Sequence, residues 1–159
     1  MDLASPFLCG MYPYEEAPRI PGNRTARLAG RRTDFLKQML QEHADTDRRV
    51  TVVPYVAGAH GGERHDVLAR LRHFAAHEAG WDVARTSFSD SDPAMPVERR
   101  KAFAAACRYA GAGHASGLLT VGRTAVTADD AAYERVLTFL HERRVFLAYL
   151  PLLGEGAVQ

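Results

Sequence analysis

Only a few side chains in this sequence stand at spacings that could do chemistry. The stretch Ala57-Gly58-Ala59-His60-Gly61-Gly62 precedes an amphipathic run. Small residues at the start of a helix leave backbone N–H groups free to hold a phosphate. The stretch fits neither the P-loop nor the dinucleotide fingerprint. Gly58, His60, Gly61 and Gly62 therefore form a candidate ligand loop, with a plain tight turn as the other reading. His60 has no serine or cysteine beside it in the loop to activate. Asp90 and Asp92 offer oxygen ligands for a divalent cation, without a third carboxylate. His73 and His77 have the i, i+4 spacing of a zinc pair, but Phe74 stands where a metalloprotease places its glutamate. No metal site and no cofactor are expected. Arg19, Arg24, Arg27, Arg31 and Arg32 lie in an acid-free stretch that could contact nucleic-acid phosphates as an arm. Because arginine outnumbers lysine 18 to 2, some clustering is expected without any such role.

These groups must be positioned by the elements around them. Pro6, Pro13, Pro18 and Pro21 remove donors and fix φ, so residues 1–30 are expected to form an extended, irregular arm. Thr33 caps an expected short helix from Asp34 to about His43, so that residues 31–48 read as helix and linker. From residue 49 to 159 the pattern becomes regular. A β-branched strand over Val50–Val56 is followed by a helix over Glu63–Ala79 closed by Gly80, and then by a strand over Trp81–Phe88. A loop over Ser89–Pro93 leads to a helix opened by Pro96 and ending near Gly111, a short strand over Leu118–Val121, a helix begun at Asp129 or Asp130, and a strand over Val145–Leu150. Strands alternating with helices call for an α/β fold. The expectation is a predominantly parallel four-stranded sheet with helices on both faces, joined by right-handed crossovers. Trp81, beginning the second strand, should pack against the first helix near Phe74.

The chain has 159 residues, 47% hydrophobic and 25% charged, with a net charge of +1. These values suit one globular domain, exclude a fibrous or wholly disordered chain, and give no global field for polyanions. Cys9 and Cys107 make neither a disulfide framework nor a metal set. The early acids and prolines do not read as a signal peptide, and the longest strongly apolar run, Val145–Leu153, is too short for a membrane span. A cytoplasmic protein without membrane contact is expected.

From Val50 to Pro151, about two thirds of the chain, the order of fragments resembles the catalytic domain of serine recombinases of the resolvase/invertase family. In this sequence the fragments read Tyr55-Val56-Ala57-Gly58-Ala59, Gly80-Trp81-Asp82-Val83, Met95-Pro96, Leu118-Leu119-Thr120-Val121, Thr124-Ala125-Val126-Thr127-Ala128 and Arg144-Val145-Phe146. The resemblance implies a resolvase-like fold. In that family a serine attacks a DNA phosphodiester and arginines neutralise the phosphate charge. Here Tyr55 keeps its place, Ala59 stands at the serine, Ala57, Ala125 and Ala128 stand at arginines, and Thr124 stands at an aspartate. The resemblance thus implies a pseudoenzyme, which is not expected to act as an enzyme. The leading expectation is a regulatory module that binds a protein partner or itself, using the arm and exposed apolar surface. The alternatives are a small-ligand or phosphate-binding domain on Ala57–Gly62, and an accessory DNA-binding protein using Arg19–Arg32.

Overall fold

The structure is a computed structural model, and it describes residues 23–151. Helix α1 runs Asn23–Asp45 and buries Leu28, Arg32, Leu36, Met39 and His43, which recur every three or four residues as one stripe. This corrects the expected boundaries: residues 23–30 are helical rather than arm, and the short helix from Asp34 is the second half of a 23-residue one. No proline falls between Pro21 and Pro54 to stop it. Arg32, the second of the five stripe positions, is polar, and His43 is the last, so the apolar period is interrupted in its first half and ends on a polar residue. The rest of the expected arm, residues 1–22 with Arg19, lies outside the described residues.

Strand β1 (Thr51–Ala57) leads to α2 (Gly61–His73), whose last turn widens into a π-helical segment at Phe74–Ala79. Gly80 takes the left-handed conformation at φ 74°, and the N–H groups of Gly80 and Trp81 both end on the Ala75 carbonyl. Strands β2 (Asp82–Val83) and β3 (Phe88–Asp90) follow. A 3-10 turn at Val97–Arg99 precedes α3 (Lys101–Tyr109), and then come β4 (Gly117–Thr120), α4 (Asp130–Glu142) and β5 (Phe146–Tyr149). The Asp129 side chain caps α4 by accepting from the Ala132 N–H at 2.8 Å.

The sheet has the order β2-β1-β4-β5, with β3 also on β1, and every pairing is parallel. It holds five strands, one more than expected, because the strand expected over Trp81–Phe88 is two pieces. The cause is Pro54. Even-numbered residues along β1 and just beyond its two ends turn their backbone groups to this edge: Val50 and Val52 accept from Asp82 and Ala84, and Gly58 donates to Asp90. Pro54 has no N–H to offer there, so the neighbouring strand leaves after Ala84 and returns at Phe88. Arg72 of α2 fills the gap, donating to the carbonyls of Ala84 and Arg85 at 3.0 and 3.2 Å. Ser89 and Asp90, expected in a loop, belong to the returning piece.

Helices cover both faces. Val53, Tyr55, Leu118 and Leu147 pack under α3 and α4 with Phe103, Ala106, Tyr133 and Leu137. Val52, Val56, Leu119 and Phe146 pack under α2 and α1 with Leu71, Ala75, Leu36 and Met39. Trp81 meets Phe74 edge-on at 6.0 Å, and its ring lies 5.6 Å from Phe146. Edge strand β5 is covered by α1, from which Arg32 donates to the Leu147 carbonyl at 2.8 Å. No helix among the described residues is long and apolar enough to cross a membrane.

Candidate functional site

The chain leaves β1 for β2 and β3 on one side and returns to β4 on the other, so the order reverses between β1 and β4. A crevice at the carboxyl ends of these strands is where open α/β sheets hold ligands. The loops that meet there are Ala57–His60, Asp92–Pro96 and Gly122–Ala128.

Their meeting is organised by Tyr55, Asp90 and Arg100. The Tyr55 hydroxyl donates to Asp90 Oδ2 at 2.7 Å, and the two Asp90 oxygens also accept from the N–H groups of Ala102 and Phe103 at 3.0 and 2.9 Å. Burial, then this hydrogen bond to Asp90, pushes the Tyr55 phenol above its ordinary pKa. Asp90 thereby supplies acceptors to the first turn of α3, which lacks a side-chain cap of its own. Arg100 is only 4% exposed. It donates through Nε to the Met95 carbonyl at 3.0 Å, through Nη1 to Ala125 at 2.8 Å and through Nη2 to Pro93 at 3.3 Å. Arg100 was not among the sequence candidates. The available signal was its position three residues ahead of Phe103, where the buried stripe of α3 begins, in a run of exposed charges.

Among the recombinase-like positions, Tyr55, Ala57, Ala59 and Ala125 come to this end of the sheet. Ala59 and Ala125 are buried, their methyl groups filling space, and the Ala125 carbonyl is one of the Arg100 acceptors. Thr124 and Ala128 are exposed. Arg123 lies over the Tyr133 ring at 4.0 Å and bonds to the Thr127 and Ala128 carbonyls and to Asp130. Below it the Tyr133 and Tyr149 hydroxyls share a 2.6 Å hydrogen bond, and Arg32 lies over the Tyr149 ring at 4.2 Å. Burial first, and then Tyr133, raise the Tyr149 phenol above its ordinary pKa.

In the candidate ligand loop, Gly58 and Gly61 take positive φ, 80° and 52°. A side chain at Gly58 would press on Pro93. The turn therefore requires glycine at Gly58 for its own geometry. His60 and Gly62 are exposed, and His60 occupies the N-cap position of α2 without a side-chain hydrogen bond. Asp92 accepts from the Ala94 N–H at 3.0 Å, closing a small turn. His73 and His77 lie ring to ring at 4.8 Å on the exposed face of α2. Among the described residues no three His, Cys, Asp or Glu side chains come together as a metal site.

The described arginines of the expected nucleic-acid arm sit on α1 and serve its docking. Arg24 pairs with Glu134 at 2.7 Å, Arg31 donates to Thr138 at 2.9 Å, and Arg32 is buried on β5, while Arg27 is exposed. Comparison with known protein families, curated proteins and solved structures gives no match to this chain.

Proposed function

We propose that this chain is a non-catalytic, resolvase-like module that acts by binding a partner protein. Two features support the reading. At the carboxyl end of the sheet, where the resemblance would put nucleophile and arginines, the polar groups of Asp90, Arg100 and Arg123 are bonded largely to the chain's own backbone. Ala59 brings a methyl group and no nucleophile.

The observation that carries the binding role is the segment Pro93-Ala94-Met95-Pro96. All four residues are exposed, and Met95, at 39%, is the one large apolar side chain among the described residues that is exposed rather than buried or half-buried. The segment is held from beneath by buried Arg100, through the carbonyls of Pro93 and Met95. A flexible apolar tip would lose conformational entropy on docking, whereas one fixed in advance avoids much of that cost. Methionine also adapts its shape to a partner.

The test compares the full chain with Met95→Glu, which alters an exposed side chain and leaves the Arg100 bonds to backbone carbonyls in place. Co-purification from the native host should yield a partner with the natural chain that is lost with the variant. Neither form should become covalently attached to duplex DNA. The same partners with both forms, or a protein–DNA adduct, would overturn the proposal.

A further inference from the structure

Two turns of this fold carry the same pattern, an acid followed by Arg-Arg-Val: Asp47-Arg48-Arg49-Val50 enters β1 and Glu142-Arg143-Arg144-Val145 enters β5. Each contains a residue at positive φ, Asp47 at 56° and Arg144 at 59°, the two non-glycine residues in that region among those described. Both strands pair with β4, so the two turns flank the loop that leads into it. Between them lies a cleft of about 440 Å³ at the amino end of the sheet, opposite the loops that Arg100 ties together. All four arginines line it, facing one carboxylate, Glu42.

The arginines are differently engaged. Arg49 is held by Asp82 and Arg144 by Glu42. Arg48 spends only Nε, on the Thr46 hydroxyl at 3.0 Å, and forms no ion pair among the described residues. The Arg143 guanidinium lies over the Phe139 ring at 3.7 Å, gives Nη1 to the Phe139 carbonyl and stands at a loose 4.0 Å from the Glu142 carboxylate. Its stem runs where a side chain at Gly111 would be, 3.2 Å from Cδ, so Gly111 makes room for it. His43, 7% exposed, also lines the cleft, and its buried Nδ1 has no hydrogen-bond partner among the described residues.

We propose that this cleft binds a phosphorylated small molecule of the diphosphate type. Guanidinium groups match phosphate oxygens in a two-pronged geometry, and Arg48 and Arg143, one from each wall and neither hydrogen-bonded to a carboxylate among the described residues, suit an anion with two charge centres. The volume falls within the range of small-ligand pockets, about 300–1,000 Å³. A compact anion is favoured over an extended one because the same turns carry Asp47 and Glu142, and Asp45 precedes them. A long polyanion laid along these turns would run past carboxylates adjacent in sequence to the arginines, whereas a compact anion need meet only Glu42. This site is independent of the partner-binding reading and of the loops at the carboxyl end of the sheet.

The experiment is calorimetric titration of the full chain at about 150 mM salt, where surface charge is largely screened beyond roughly 8 Å. Inorganic pyrophosphate and ADP are the probes; tighter binding of ADP would point to a nucleotide, and equal binding to the diphosphate alone. One saturable site is expected, weakened about tenfold or more in Arg48→Ala/Arg143→Ala. The charge-matched control Arg70→Ala/Arg85→Ala, at exposed positions away from the cleft, should bind as the natural chain does. Absence of saturable binding to either probe would overturn the proposal. So would binding that survives in the Arg48/Arg143 variant, an equal loss in the control, or displacement by single-stranded DNA or polyglutamate at matching affinity.

Discussion

His141, in the last turn of α4, stacks on Phe35 of α1 with ring centroids 3.9 Å apart, and its buried Nε2 has no partner among the described residues. Burial, with a smaller contribution from Arg31, lowers its pKa from 6.5 to about 4. Above 6.5 the folded and unfolded chains both carry it neutral. As pH falls from 6.5 towards 4 the unfolded chain takes up a proton that the folded chain resists, so stability is lost across that window. His141→Phe keeps a ring against Phe35 and removes the titration. Its denaturation midpoint should therefore fall less between pH 6.5 and 4.5 than that of the natural chain, and parallel pH profiles would contradict this. The ion-paired carboxylates Glu42, Asp82, Glu98, Asp130 and Glu134, whose pKa values lie below the usual range, lose their contribution at lower pH. The buried Cys107 thiol, pushed up to about 12 by desolvation, stays protonated throughout and is a poor nucleophile. Nothing in the sequence marked His141: an apolar stripe shows which face of a helix is covered, but not that a ring on its margin will be stacked and stripped of water.

At the scale of elements, close approach decides more than propensity. Gly117 opens β4 opposite Phe146 of β5, and a methyl group there would collide with the Phe146 ring. Gly117→Ala should cost about 1–3 kcal/mol, as overpacked cores do. Gly122→Ala, at an extended φ of 174° with open space around it, should stay within about 0.5 kcal/mol. Urea denaturation of the two variants decides this, and equal midpoints would show that the β4–β5 layer gives way easily. What could be read from sequence follows the same division. The run Val50–Val56, the Gly80 cap and the Asp129 cap act through neighbouring residues, and each stands where its local signal puts it. The break between β2 and β3 acts across strands: Pro54 withholds its N–H from a partner some thirty residues away, and no local reading of Trp81–Phe88 contains that fact. Likewise Arg24, Arg31 and Arg32 look like a solvated basic arm until α4 and β5 supply Glu134, Thr138 and the Leu147 carbonyl. At the candidate site, the strand order alone brings the loops at Ala57–His60 and Gly122–Ala128 to one end of the sheet, whereas Arg100, which ties three carbonyls of two loops, was not legible.

For the whole molecule, the question is where the folding unit begins. The regular strand–helix pattern starts at residue 49, but α1 is built into both layers of the core: Leu28 joins the cluster under α3 and α4, and Leu36 and Met39 join the one under α2. It also places Arg32 on the open edge of β5. Burial of a large apolar side chain contributes about 1.5–3 kcal/mol. Three of them are therefore on the scale of the roughly 5–15 kcal/mol that holds a domain together. Without α1, residues 49–159 would also expose Phe146 and Ala148 and leave the β5 edge free to pair with another chain. This segment expressed alone is expected to lose the cooperative melting of the full chain and to associate through the bared edge. Far-ultraviolet circular dichroism melts with sedimentation measurements check it. A monomer that melts as sharply and as high as the full chain would show that α1 is an accessory laid on a finished domain.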